Sequence, residues 1–293
     1  MRTLWRTAIG LALALSMVFV GSGEAGAHSK QIHHRKKPPV AVELFGDSLA
    51  FTLGYGLNQP ALLKKYHYHL SFLGILGCGV ANGPAVLDLG HALPTPAPCD
   101  GKTPVPGAPL SAQPWPVQWQ AALAHSHANV VALLAGRWEV DDRVYMGQWT
   151  NILNPPFAAY VKQQLELASN LVTATGANMV FMTAPCFDQG LQPDGAPWPE
   201  DAPARVAAYN QLVQQVAAEY PATDSVVDLN SVVCPGGQFT AKLKGVAIRT
   251  ADGVHFADTA GPVLAPSILP NIIASGRAEM ARAAALKTQT AAG

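Results

Sequence analysis

Three residues have the types that nucleophilic chemistry on an acyl group requires. Ser48 lies in the stretch Val42 to Phe51, "VELFGDSLAF", and Asp252 and His255 lie in "RTADGVHFAD", far along the chain. A serine alcohol is a weak nucleophile unless a base takes its proton and donors hold the oxyanion that develops. His255 supplies such a base, and Asp252, three residues before it, is placed to fix the imidazole tautomer and stabilise its protonated form. Asp47 and Ser48 read alone are also compatible with a helix cap, and Asp-x-x-His alone with a capped turn. The two blocks together, at opposite ends of one domain, form a far more specific signal.

Positioning these groups requires a strand that ends at Gly46 and a helix that begins at once. Val40 to Phe45 is a short apolar run of the kind a buried parallel strand shows, and Leu49 onward resumes as a helix after a Gly-containing turn. Open parallel sheets bind ligands outside the carboxyl ends of their strands, where Ser48 would stand. Further strands are expected in "YHYHLSFLGI", "ANVVALLAG", "ANMVFMTAP" and "SVVDLN", with helical spacing in "PFAAYVKQQLELASNLVTATG" and "APARVAAYNQLVQQVAAEY". A last helix is expected to start near Asp258. This alternation predicts an α/β domain whose central parallel sheet of about five strands is covered on both faces.

The chain has 293 residues, 49% of them hydrophobic, enough for a sizeable core. Residues 1–27 combine two arginines, an uncharged apolar stretch and an Ala-Gly-Ala end, the pattern of a secretory signal peptide, with a retained anchor as the alternative. Residues 28–39, "HSKQIHHRKKPP", read as a basic tether able to make weak contact with an anionic envelope surface. Residues 40–293 carry 13 of the 19 Lys and Arg but 18 of the 19 Asp and Glu, so the domain is mildly acidic and a nucleic-acid groove is not expected.

Cysteine usage fits an exported chain. Four cysteines in such a chain make two disulfides a fair expectation, with three connectivities possible. Cys78 and Cys99 bracket a Pro- and Gly-rich insertion, residues 78–116, that shows neither helical nor strand period. Cys186 and Cys234 follow the fourth and fifth expected strands, so the pairs Cys78–Cys99 and Cys186–Cys234 are favoured. No cysteine or histidine spacing suits a metal, and neither a metal nor another cofactor is expected. Trp115 and Trp119, spaced i and i+4, read as core rather than cleft, while Met146, Trp149 and Phe157 are candidates for its border.

"FGDSL" at Phe45 to Leu49 and "DGVHF" at Asp252 to Phe256 resemble, in order and separation, the blocks of the SGNH, or GDSL-type, hydrolase superfamily. The resemblance spans roughly Val40 to Ser275 and implies a flavodoxin-like three-layer sandwich. It implies Ser48 as nucleophile, His255 as general base and Asp252 as its orienting partner, with the amides of Ser48 and Gly77 as oxyanion donors and Gly79 close behind. Where the family has Gly-x-Asn-Asp after the third strand, this chain has "AGRWEVDDR", so Trp138 and Glu139 replace the asparagine and the aspartate. Asp47, Gly79, Arg137, Trp138 and Glu139 are therefore carried as possible substrate-binding residues; Arg137 has an ion pair with Glu139, Asp141 or Asp142 as its structural alternative. "LLAGRWEVDDR" and "LNSVVCPGG" also look similar to SGNH domains associated with envelope-glycan acyltransferases. That similarity implies a secreted, envelope-associated esterase or O-acyltransferase acting on an acylated saccharide or envelope glycan. The alternative it leaves is a catalytically weak polysaccharide-binding module on the same fold.

Overall fold

The computed structural model describes residues 37–292; the expected signal peptide and most of the basic tether lie outside them. In chain order the elements are β1 (Val40–Gly46), α1 (Ser48–Leu57), α2 (Pro60–Tyr66), β2 (Tyr68–Gly74), β3 (Ala85–Asp88), β4 (His91–Pro94), α3 (Trp115–Ser126) and β5 (Val130–Leu134). There follow α4 (Arg137–Val140), β6 (Asp142–Tyr145), β7 (Gln148–Thr150), α5 (Pro155–Thr173), β8 (Asn178–Met182), α6 (Pro203–Glu219), β9 (Asp224–Val227) and α7 (Leu229–Val233). The short hairpin β10 (Lys242–Leu243) and β11 (Val246–Ala247) precedes the last helix, α8 (Ala260–Ala292).

Five strands form one parallel sheet in the order β2-β1-β5-β8-β9. Every residue of β5 and β8 is buried, as expected of apolar strands covered on both faces. Helices α1 and α8 cover one face, and α3, α5 and α6 the other. In α5 the buried residues Phe157, Val161, Leu165, Ala168 and Val172 recur at helical spacing and form one stripe against the sheet. Trp115 and Trp119 are fully enclosed, their rings 4.6 Å apart, which makes them core as the spacing indicated.

The 78–116 insertion differs from the expectation of an irregular loop. It contributes β3 and β4, which join β6 and β7 in a separate antiparallel sheet of order β4-β3-β6-β7. All four residues of β4 are exposed, so the strand carries no alternation of apolar and polar residues to reveal it. The cysteines pair as Cys78–Cys99 and Cys186–Cys234. Among the described residues no helix is long and apolar enough to cross a membrane.

Candidate active site

Each residue of the Gly-Asp-Ser block has its own reason to be there. Gly46 ends β1 at φ +148°, and a Cβ on it would lie 1.7 Å from the Leu134 carbonyl oxygen at the end of β5. Only glycine permits that approach. The Asp47 amide donates to that same carbonyl (3.3 Å), and the Ile75 amide donates to the Gly46 carbonyl (2.8 Å), so the ends of β2, β1 and β5 are fastened together. Asp47 then caps α1, its Oδ1 accepting from the Leu49 amide at 2.7 Å. Ser48 is the first helical residue, at the positive end of the helix and just past the end of β1, which lies between β2 and β5 where the strand order reverses.

His255 reaches Ser48 from a loop between β11 and α8. Its Nε2 lies 2.8 Å from Ser48 Oγ, and its Nδ1 lies 2.7 Å from Asp252 Oδ2. Asp252 Oδ1 accepts from Thr250 Oγ1 (2.7 Å), the Val254 amide (2.8 Å) and the His255 amide (3.0 Å). Partial burial works to raise the Asp252 pKa, but the bonds from His255, Thr250 and the two amides outweigh it and hold the carboxyl well below the usual range. A permanent carboxylate at Nδ1 keeps that nitrogen as the donor, which leaves Nε2 to accept the Ser48 proton.

Ser48, Asp252 and His255 line a cavity of about 90 Å³ together with Asp88, Arg137, Trp138, Gln189 and Val254. Asp88, Gln189 and Val254 escaped the sequence reading, Asp88 because it ends a strand inside the supposed irregular insertion. Gly77, at φ +73°, stands beside Trp138: a Cβ on it would be 4.0 Å from Trp138 Cζ2. Trp138 forms part of the cavity wall at the position where a family asparagine is expected.

Three of the possible substrate-binding residues are instead shielded from any substrate. Asp47 and Glu139 have no solvent exposure, and Gly79 is buried because the Glu139 carboxylate fills the space its side chain would need. Glu139 serves the backbone, accepting from the amides of Val80 (2.6 Å) and Ala81 (3.1 Å). Burial raises its pKa against the opposing effect of those amides and of the Arg143 charge. Burial, and then the charge of Glu139, push Asp47 up to about 8.

Arg137 is a structural cross-link rather than a free cation. Its guanidinium, 3% exposed, reaches Asp88 (2.6 Å), Asp141 (3.3 Å), Glu200 (3.7 Å) and Asp201 (3.8 Å), and it donates to Gln189. Of the partners expected for it, only Asp141 is taken. Glu139 is served by Arg143, and Asp142 pairs with Arg205 at 3.2 Å. Phe157 is core, and Met146 and Trp149 are exposed away from the cavity wall. No group of His, Cys, Asp and Glu suited to a metal occurs among the described residues.

No protein-family model and no curated protein matches the chain. Solved structures do. One is TesA, at 16% identity and a TM-score of 0.43, covering 78% of this chain and 96% of that one. A second is a GDSL-like lipase from Bacteroides thetaiotaomicron, at 13% identity and a TM-score of 0.45, covering 79% and 86%. By its Gly-Asp-Ser and Asp-x-x-His blocks the chain resembles the SGNH, or GDSL-type, hydrolases. A third match is an α/β-hydrolase enzyme from the metagenome of Lake Arreo, Spain, at 14% identity and a TM-score of 0.42, covering 83% and 97%. Shared with the SGNH pattern in this chain are the Gly-Asp-Ser block after the first strand and the Asp-x-x-His block before the last helix.

Proposed function

We propose that this chain is a serine-dependent ester hydrolase of the SGNH type, acting through an acyl-enzyme on Ser48. The single observation that carries the reading is the unbroken hydrogen-bonded series from Ser48 Oγ through His255 to Asp252. In the first half-reaction Ser48 Oγ attacks the ester carbonyl carbon while its proton passes to His255 Nε2. The tetrahedral oxyanion is held by backbone donors, for which the Ser48 amide at the helix start and the Gly77 amide are the candidates. Collapse expels the alcohol, which takes the proton back from Nε2. Water, or the hydroxyl of a saccharide, then attacks the acyl-enzyme with His255 again as base; collapse breaks the acyl–Ser48 Oγ bond, Nε2 returns the proton to Ser48 Oγ, and hydrolysis or acyl transfer respectively results.

The cavity supports a short acyl group, because about 90 Å³ is well below the ~300–1,000 Å³ typical of sites for larger ligands. Its lining supports an acylated carbohydrate as the natural ester. Trp138 contributes an aromatic side chain to the wall, and Asp88 and Gln189, both held by Arg137, contribute polar ones, a combination that suits a polar ring with apolar faces. Two disulfides fit an oxidising, extracytoplasmic compartment such as the cell envelope. The test is turnover of p-nitrophenyl acetate and of acetylated glycans by wild type and Ser48→Ala. Release of acetate that depends on Ser48 supports the proposal; equal rates for the two proteins overturn it.

A further inference from the structure

His255 and Asp252 are only partly covered, their side chains 33% and 48% exposed, and one exposed side-chain contact by itself is a weak constraint. Something else must hold the 250–255 loop so that Nε2 meets Ser48 Oγ. On the side toward Ser48 the Phe256 amide donates to Thr52 Oγ1 (3.3 Å), and Thr52 Oγ1 lies 3.0 Å from the Ser48 carbonyl. On the other side stands Arg249, buried at 4% exposure. Its Nη1 donates to the Val254 carbonyl (2.6 Å), its Nη2 donates to the Cys186 carbonyl (3.1 Å), and its guanidinium lies 4.4 Å from the centre of the Phe256 ring.

Resting on the function proposed above, we infer that Arg249 is a positioning residue for the Ser48, His255 and Asp252 series. It clamps the peptide that precedes His255 to the Cys186 segment. That segment is a firm anchor, being fixed to α7 through the Cys186–Cys234 disulfide. The loop also touches it a second time: the Asp188 amide donates to the Gly253 carbonyl at 3.2 Å, and Gly253, at φ +71°, is pressed so close that a Cβ would lie 1.6 Å from the Asp188 carbonyl oxygen. Arg249 therefore joins the loop to a segment that a disulfide ties to the residue ending α7.

The chemistry of the clamp is specific to a guanidinium. Two donors diverging in one plane span two carbonyls while the flat face stacks on an aromatic ring, which a lysine ammonium cannot reproduce. Burying such a charge mainly against carbonyls is unfavourable, and burial lowers the pKa of Arg249 to about 9, with the Asp252 carboxylate opposing that shift. An apolar residue would fill the same space without that penalty but could not hold the Val254 and Cys186 carbonyls together. Arg249 does not itself line the cavity or touch Ser48; it acts through Val254, which does line it, and through Phe256.

The experiment compares wild type, Arg249→Met, Arg249→Lys and Arg249→Ala in serine-dependent acetate release. For Arg249→Met kcat falls about 10²-fold, the scale of a displacement near 1 Å at a reacting group, while KM stays within about twofold. Millimolar methylguanidinium restores part of the activity of Arg249→Ala and none of that of Ser48→Ala. If Arg249→Met does not fold, Arg249→Lys decides: a lower kcat at unchanged KM supports the inference, and a wild-type kcat overturns it. An unchanged kcat in folded Arg249→Met, or no methylguanidinium rescue, likewise overturns it. A second readout needs no turnover: the downfield proton NMR signal of His255 Nδ1–H, bonded to Asp252, is present in wild type and weakened or lost in the variants. Persistence of that signal in every variant counts against the clamp, whereas an inactive wild type with the signal intact counts against the function proposed above.

Discussion

Asp47, next to Ser48, and Glu139 are two fully buried acids whose charges oppose one another, and each leaves one carboxyl oxygen without a hydrogen-bond partner. A proton kept on one of them relieves both the repulsion and the burial. Folded Asp47 holds its proton up to about 8, whereas the unfolded chain releases it near the ordinary carboxylate value of about 3.9. Between those limits the folded state binds more protons, so this group's contribution to stability is present at the acid end and lost as pH rises. Asp47→Asn keeps a cap oxygen and cannot titrate. Denaturant unfolding from pH 5 to 8 is expected to show wild-type stability falling relative to the variant, by up to about 1.4 kcal/mol per pH unit for one proton. Parallel pH profiles would refute the assignment.

Gly46→Ala tests the strand-to-helix turn. Its φ of +148° and the Leu134 carbonyl oxygen only 1.7 Å from where a Cβ would lie leave no room for a methyl group. Backbone strain alone is worth roughly 1–3 kcal/mol, and separating β1 from β5 adds to it. Equilibrium unfolding should show a loss of at least that size, together with loss of Ser48-dependent turnover. A variant as stable as wild type would mean that the turn is not built this way.

Removing the Cys186–Cys234 bridge by a double Cys→Ser substitution takes away a cross-link between positions 48 apart and loosens the anchor of the catalytic loop. The expected loss is about 2–4 kcal/mol in stability, accompanied by a lower kcat in the molecules that remain folded. Thermal unfolding and active-site titration measure the two separately. Full kcat in the folded variant would confine the bridge to a stabilising role.

Trp138 occupies the position of an expected oxyanion donor and walls the cavity. Hydrolysis of p-nitrophenyl acetate should therefore be slow, with two backbone donors carrying the charge, and Trp138→Asn should accelerate it. Trp138→Ala should enlarge the cavity and shift preference from acetyl toward butyryl and hexanoyl esters across a p-nitrophenyl series. An unchanged chain-length profile would show that the ring does not limit the acyl group.

Much of the site was legible because its parts are local. Val40 to Phe45 is a buried parallel strand and reads as one, and the Gly-Asp-Ser and Asp-x-x-His blocks hold their geometry within a few residues. What escaped depends on distant partners. Glu139 looks like a substrate ligand until its carboxylate is found on the amides of Val80 and Ala81. Arg249 sits three residues before Asp252, yet its meaning lies in the Cys186 carbonyl, which no spacing along the chain reveals. The strands β4 and β7 are short and mostly exposed, so they leave no hydrophobic period to read.

The most direct measurement is covalent labelling of the purified protein with a fluorophosphonate, with the modified peptide located by mass spectrometry. A serine acquires the nucleophilicity for that reaction only when its proton can pass to a base. The account predicts a single adduct on Ser48, absent in Ser48→Ala and formed at least about 10²-fold more slowly in His255→Ala. An adduct on another residue, or labelling of His255→Ala at the wild-type rate, would contradict it.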